Sequence, residues 1–537
     1  MKTSNIKVSI ALCLLSAIFI SPSSLRGQDE PVLPETPFEY SDMSRLPLHF
    51  TDPDYPFGAI APADNQPGSN MVSDAGATLG RVLFYDKRLS ANDTVSCASC
   101  HQQENGFSDP LPFSLGFNGG LTGRHSMGLA NGRYYDNGRM FWDERAASLE
   151  QQVLQPIQDS VEMGMDLTTL EAKLAATSFY PQLFEDAFGD PNINSFRIGR
   201  ALAQFVRSLI SYESKFDEAL QAGNYPNPDF QAVFTPSELR GLALYQPTPG
   251  GGRSLRCDVC HGTATQTMGR AGEPGGPPPG PFAVNNGLDL DTSADQGAGN
   301  GRFKSNSLRN IEVTAPYMHD GRFQTLEEVV EFYNSGIQNH PNLAPQLRVN
   351  GNGPPIRFNM TQQEKDDLVA FLKTLTDHEF LQRDEFSDPF PTLVSPDSFT
   401  VSDGSLRGGD LADLQESDNV KVTVQGAFTP VASITVQSVS PVEDPRYFAF
   451  QSEASTRSPQ AIQQIFLYDY DAGEFELVDE QSANTLADKV VLIEGTGDLS
   501  RFVEPGTRIV EAKIVIRRTT LTRGMFGFFD RAIWLIR

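Results

Sequence analysis

Past the first 27 residues, every cysteine falls in one repeated pattern, Cys-x-x-Cys-His: CASCH at 97–101 and CDVCH at 257–261. A chain that used thiols for stability would scatter them to close long loops. Here Cys97, Cys100, Cys257 and Cys260 are confined to two short turns, each followed by an imidazole, His101 or His261. Two cysteines on one turn can bond both vinyl groups of a porphyrin, and the next histidine then reaches the iron from the same side. That is the attachment signature of c-type haem. Zinc is the rival for paired cysteines, but it needs the two pairs to converge and leaves both histidines unexplained. A thioredoxin-type dithiol accounts for one motif at most, and no βαβ pattern surrounds either. The pattern predicts two covalently bound c-type haems, with His101 and His261 as the proximal iron ligands.

Each motif closes a similar run. ATLGRVLFYDKRLSANDTVSCASCH has Gly80 and Phe84 ahead of Cys97, and SELRGLALYQPTPGGGRSLRCDVCH has Gly241 and Tyr245 ahead of Cys257 at nearly the same distance. Such a repeat of helix, loop and anchor reads as two fused cytochrome-like units. The 537 residues exceed what one core serves. We expect a first unit over about 40–230 and a second over about 231–385. Helical spacing covers Leu167–Thr177, Ser195–Ala222, Leu326–Asn334 and Thr361–Leu375, the last opening on the capping box Thr361-Gln-Gln-Glu364. The run GRAGEPGGPPPGPF cannot be regular structure. From about 390 to 537, segments such as NVKVTVQ (419–425) and VEAKIVIR (510–517) alternate apolar and polar residues, as in a β-sandwich. This part has no cysteine and no histidine, so it is assigned docking or spacing and no chemistry. The expected fold is mainly α: two cytochrome c-like haem domains followed by a C-terminal all-β sandwich-like domain.

The N-terminus has two lysines, an apolar run from Val8 to Ile20 and then small residues, the form of a secretory signal peptide over 1–27. It would place the haem units in the periplasm or otherwise outside the cytoplasm. Cys13 lies inside that run, and no later stretch approaches membrane-spanning length. The net charge of −26 is spread along the chain. It argues against nucleic acid as a partner and suits a small basic electron carrier.

Over roughly residues 75–380 the chain resembles the bacterial di-haem cytochrome c peroxidase/MauG family. LGRVLFYDKRLSANDTVSCASCH, FWDERAASLEQQVLQPI, VEMGM, SLRNIEVTAPYMHDGRF and TLEEVVEFY carry the resemblance in order. It implies an oxidoreductase that reduces hydrogen peroxide to water at the first haem. Electrons would come from a small donor protein, a cytochrome c or cupredoxin, through the second haem. It also implies Trp142 as the relay between haems and Glu162 as the distal acid/base. Gln152 would hydrogen-bond peroxide, and Pro156 would crowd the iron. Heterolytic O–O cleavage needs a base for the first proton and an acid to return it; a carboxylate raised by burial can be both.

Two departures matter. Many members hold a distal histidine at a position that falls near Phe117 in this chain, and His125 matches a calcium-ligand asparagine of the family. Imidazole is a poor calcium ligand beside hard oxygens. Calcium is therefore left open, through the carbonyls of Thr314 and Pro316. For the second haem's sixth ligand, counting fourteen residues from His319 arrives at Tyr333, where the peroxidases proper have methionine and MauG-like members tyrosine. Leu326, Val329, Val330 and Tyr333 form one apolar stripe. Met318, His319 and Met268 are the alternatives. A tyrosine ligand tilts the reading toward MauG-like oxidation of a protein or organic substrate through a high-valent di-haem state. A non-catalytic di-haem electron carrier would need both irons six-coordinate and no acid/base nearby, against which Glu162 and the missing histidine argue. A binding protein that works through its β-sandwich is countered by the intact haem ligands.

Overall fold

A computed structural model describes residues 30–34, 36–55, 60–223, 227–248, 252–267, 282–415, 420–426, 430–483, 488–518 and 525–537. The signal peptide expected at 1–27 and Met268 lie outside these residues.

Helix α1 (Asp74–Tyr85) starts at Ser73, whose hydroxyl accepts the Gly76 amide; α2 (Ser195–Ser208) starts at Asn194, whose side chain accepts the Arg197 amide. The two cross at Gly80, where a Cβ would stand 2.1 Å from the Ala201 carbonyl oxygen. Ile198, Leu202 and Phe205 of α2 meet Leu79 and Leu83 of α1 in one buried core. The stretch Leu167–Ala175 is helical as expected. The continuous helix expected over Ser195–Ala222 is not formed. After Leu209 the chain turns extended, and α3 (Lys215–Gln221) starts afresh at Ser214, in a capping box with Asp217. The cause is distant: the buried Asp377 carboxylate accepts the amides of Tyr212 and Glu213, each at 2.9 Å. Those donors are thereby withdrawn from any helical ladder.

The second lobe repeats the first. Helix α4 (Pro236–Tyr245) packs on a later helix through Gly241, as α1 does through Gly80. Between them comes α5 (Leu326–Glu331), capped by Thr325 and Glu328. The later helix is α6 (Gln362–Lys373), which opens on the Thr361–Glu364 capping box, and a Cβ at Gly241 would stand 2.0 Å from the Asp367 carbonyl oxygen. A two-stranded ladder, β1 (Val284–Asn285) with β2 (Arg302–Phe303), flanks this lobe. The cores are interleaved along the chain. Phe50, Ile60 and Phe216 join the second core, while Phe380 and Phe386 pack into the first. At the junction Arg309, fully buried, pairs with Asp217, which also takes His49 Nε2 at 2.7 Å.

From residue 392 the chain is β. Strands β3 (Thr392–Val394), β4 (Ser398–Asp403), β5 (Ser405–Gly408), β6 (Val422–Gln425), β7 (Val431–Val439) and β8 (Phe448–Thr456) are followed by five more. These are β9 (Ala461–Asp469), β10 (Glu474–Ser482), β11 (Lys489–Glu494), β12 (Ile509–Arg518) and β13 (Phe526–Ile536). One sheet runs β10-β9-β12-β7-β4 and the other β11-β8-β13-β6-β5, with β3 on β13. Ile434 and Ile514 of one sheet share a core with Val422, Phe450 and Trp534 of the other. Arg446 Nη1 donates to the Gln382 carbonyl at 2.6 Å, which ties the β region to the segment that enters the first core.

Because the opposing atom at Gly80 and Gly241 is a helix carbonyl that cannot swing away, adding a methyl group there should overpack the crossing. The cost is about 1–3 kcal/mol, which outweighs the roughly 1 kcal/mol that alanine gains over glycine in a helix. Gly80→Ala and Gly241→Ala should each lower the denaturation midpoint. Gly252→Ala, with no atom of the described residues within 4 Å of the new carbon, should leave it in place.

Candidate functional site

The two Cys-x-x-Cys-His segments adopt one geometry. Cys97 and Cys257 each open a single 3₁₀ turn, and the amide of the following histidine donates to that cysteine's carbonyl at 3.0 Å in both. His101 Nδ1 lies 2.8 Å from the Phe107 carbonyl, and His261 Nδ1 lies 3.0 Å from the Gln266 carbonyl. A carbonyl only accepts, so Nδ1 carries the proton and Nε2 keeps its lone pair. Both carbonyl-bearing residues are left-handed without being glycine, Phe107 at φ 60° and Gln266 at φ 51°. Backbone in that region costs on the order of 1–3 kcal/mol and is kept only where its surroundings over-determine it. Burial pushes both imidazoles below their ordinary value, which favours the neutral ring.

The rival chemistries fail on geometry. All four thiols are free, and burial pushes Cys97 and Cys257 up to about 12 and Cys100 and Cys260 up to about 11. Protonated, buried thiols of this kind are not a reactive dithiol. Among the described residues the one group of three or more His, Cys, Asp or Glu atoms close enough for a metal is Asp289, His319 and Asp320, so the cysteine pairs do not converge. Arg322 already pairs with both of those aspartates. Buried thiols three apart, a histidine with Nε2 to give and, at the second motif, a large apolar cavity fit a c-type haem.

That cavity, of about 480 Å³, is bounded by Cys257, Cys260 and His261 and by the expected stripe Leu326, Val329, Val330 and Tyr333. Tyr333 sits in a π-helical turn (Phe332–Gly336) directly after α5, a distortion that recurs at functional sites. Asn286 Nδ2 lies 3.4 Å from the Tyr333 hydroxyl and 3.9 Å from Met318 Sδ, so tyrosine and methionine converge on one amide. Burial holds the Tyr333 phenol up at about 12. His319 is engaged elsewhere, stacked 4.0 Å from the Phe303 ring with Nε2 3.5 Å from Asp289. Nothing in the sequence marked Asn286, which follows the Gly/Pro-rich run.

Near the first motif, Glu162 lies within electrostatic reach of Cys97 and Cys100. Phe117 donates its amide to the Glu162 carbonyl at 3.0 Å, and its ring covers Gly164. A Cβ at Gly164 would fall 2.4 Å from that ring. Burial pushes Glu162 up to about 7; Asp159 adds to this and Arg145 opposes it. Gln152 and Pro156 lie four apart on the helical run 149–158, both half-buried.

Trp142 lines the cavity at the second motif, and the charge of Arg145, three residues on, acts on Glu162. Phe141 (φ 68°) and Glu144 (φ 56°) bracket the tryptophan in left-handed backbone. Its Nε1 donates to the His125 carbonyl at 2.8 Å, and its ring lies 6.5 Å from that of His319. His125 is buried in the same cavity wall, with Nδ1 donating to the Leu111 carbonyl at 3.1 Å. Thr314 and Pro316 also line that cavity.

A family model for the di-haem cytochrome c peroxidase matches residues 74–224. The methylamine utilization protein MauG of Methylorubrum extorquens is 32% identical over 325 residues, covering 58% of this chain and 80% of that protein. Cytochrome c551 peroxidase of Nitrosomonas europaea is 33% identical over 316 residues, covering 56% and 79%. Among solved structures, a MauG-like protein associated with microbial copper homeostasis superposes with a TM-score of 0.50 at 34% identity, over 60% of this chain and 95% of that one.

A carboxyl raised to about 7 is protonated below that pH and ionised above it, and only the ionised form can take the first proton of peroxide. The rate of reaction with peroxide, followed by rapid mixing, should therefore rise as pH passes through about 7. Glu162→Gln should flatten the profile and slow the step by roughly a hundredfold. An unchanged rate and profile would remove Glu162 from the chemistry.

Proposed function

The chain belongs to the di-haem cytochrome c peroxidase family, and from that premise we propose that it reduces hydrogen peroxide to water with electrons from a small redox protein. The observation that carries this reading is Glu162, a half-buried carboxyl raised to about 7 within electrostatic reach of the first Cys-x-x-Cys-His turn, with the Phe117 amide donating to its carbonyl. In the reading, Cys97 and Cys100 anchor one haem and Cys257 and Cys260 the other, with His101 and His261 as their proximal ligands. Haem iron, when bound, supplies the centre at which the O–O bond is cleaved and the oxidising equivalents are held. Glu162 takes the proton from one peroxide oxygen and delivers it to the leaving oxygen. Gln152 orients peroxide, and Pro156 closes one side of its pocket. Trp142 bridges the units at 40–230 and 231–385. The carbonyls of Thr314 and Pro316 are the calcium donors this reading retains; His125, with Nδ1 on the Leu111 carbonyl, would offer only a neutral imidazole nitrogen, a poor calcium ligand beside hard oxygens. The signal-like N-terminus supports work outside the cytoplasm, and the net charge of −26 supports a basic donor such as a cytochrome c or cupredoxin.

A second reading, MauG-like oxidation of a protein or organic substrate, is favoured by Tyr333. A phenolate ligand favours ferric and higher states, whereas methionine favours ferrous iron and raises the potential. Tyr333 would then make the second haem a poor store for a donor's electron and a good place to share oxidising charge.

Mass spectrometry should find two haem additions that survive denaturation, and a reduced small cytochrome c should be oxidised by peroxide only when the protein is present. Two haems without any peroxide-dependent oxidation would leave an electron carrier. Tyr333→Phe should change the low-spin spectrum of the second haem. A spectrum that survives unaltered returns Tyr333 to core packing and removes the case for the second reading.

A further inference from the structure

Beside Trp142 lies a buried group of side chains that the peroxidase reading does not use. Tyr135 is 1% exposed, and its hydroxyl donates to Oε1 of Glu144, itself 6% exposed. The same oxygen accepts Asn137 Nδ2 at 3.0 Å, and Arg139 Nε donates to the Glu144 carbonyl at 2.8 Å. Glu144 is thus held from both ends in its left-handed conformation, with its carboxylate turned to the phenol. The Lys304 Nζ stands 5.0 Å from the centre of the Tyr135 ring. Lys304 lines the second cavity, and its backbone amide donates to the Trp142 carbonyl at 2.8 Å. One side chain therefore separates the phenol from the cavity wall.

We propose that Tyr135 is a redox-active side chain: it gives one electron to the di-haem unit once peroxide has oxidised it, and gives its phenolic proton to Glu144. The electrons and protons balance within named groups. Peroxide draws two electrons from the di-haem unit and, with two protons taken up from solvent water, is reduced to two waters. One of those electrons is replaced from Tyr135; the phenol O–H bond breaks, an O–H bond forms on Glu144, and a neutral phenoxyl radical remains. The inference rests on the peroxidase reading, which supplies the oxidant.

Three features make this tyrosine suited to the role. Burial, and then the charge of Glu144, push its phenol far above the ordinary value, so it stays protonated and can lose an electron easily only if the proton leaves with it. A positive charge 5.0 Å from the ring opposes a radical cation, which further obliges the proton to go. The carboxylate that receives it is already hydrogen-bonded. The neighbouring residue is a natural control. Tyr134 is equally buried, at 1% exposed, but its hydroxyl has no hydrogen-bond partner among the described residues. With nowhere for its proton to go, Tyr134 should not be oxidised. Since Tyr135 is shielded from solvent, the radical would hold an oxidising equivalent and not attack a bulky substrate directly.

The test is rapid-freeze electron paramagnetic resonance of the full-length, two-haem protein after mixing with peroxide, with peroxide consumption measured in the same samples. A tyrosyl signal that narrows when the protein carries ring-deuterated tyrosine is expected. It should be lost in Tyr135→Phe and in Glu144→Gln and retained in Tyr134→Phe. Peroxide consumed by the wild-type protein with no tyrosyl signal, or a signal that persists in Tyr135→Phe, would overturn the inference and leave the peroxidase reading standing. If the wild-type protein consumes no peroxide, the oxidant is missing and both fall together.

Discussion

Behind each anchor histidine stands one backbone carbonyl, of Phe107 or Gln266, that takes the Nδ1 proton. The bond fixes the tautomer and ring direction, as outer-shell partners of ligating histidines generally do. It also requires a non-glycine residue to sit at positive φ in both units, at 60° and 51°. Such a turn persists only when packed from behind. Phe107 is fully buried in the first core, and Gln266 is buried next to Thr265, whose carbonyl accepts the Ser307 hydroxyl at 2.5 Å. The helix crossings at Gly80 and Gly241 bring that packing close enough, with a carbonyl standing where a side chain would be.

On this shared frame the two sites diverge. Near the first, the chain offers a carboxyl close to neutrality with a phenylalanine beside it. At the second, Asn286 draws Tyr333 and Met318 together, opposite apolar walls. Identical anchors with unlike surroundings suit the proposed function, in which one centre would handle protons and the other would hold charge. The segment 141–145 carries Trp142 on the cavity wall, with Phe141 and Glu144 in left-handed backbone on either side of it.

The features most readable in the sequence were those set by local chemistry. The Cys-x-x-Cys-His pattern, the paired Gly80 and Gly241, the Thr361–Glu364 capping box and the alternation of 510–517 all act within a few residues of themselves. The break in the helix after Leu209 was not read. The apolar period continues to that residue, and the group that breaks the ladder is Asp377, far along the chain. Ser214 and Asp217 did carry the capping signal of a new helix, which the period masked. The interleaved cores, the convergence on Asn286 and the meeting of Lys304 with Tyr135 are tertiary in origin, and no local pattern encodes them. Phe117 is the opposite case: its position in the motif suggested an unblocked first site, and its ring lies against Gly164, two residues from Glu162.

The central claim is that one chain holds two haem centres with different coordination. Spin counting by electron paramagnetic resonance of the fully oxidised, resting protein addresses it directly. Equal amounts of one high-spin and one low-spin ferric haem are predicted, the high-spin signal belonging to the site near Glu162. Two low-spin haems would contradict the account, because both irons would then be closed to peroxide.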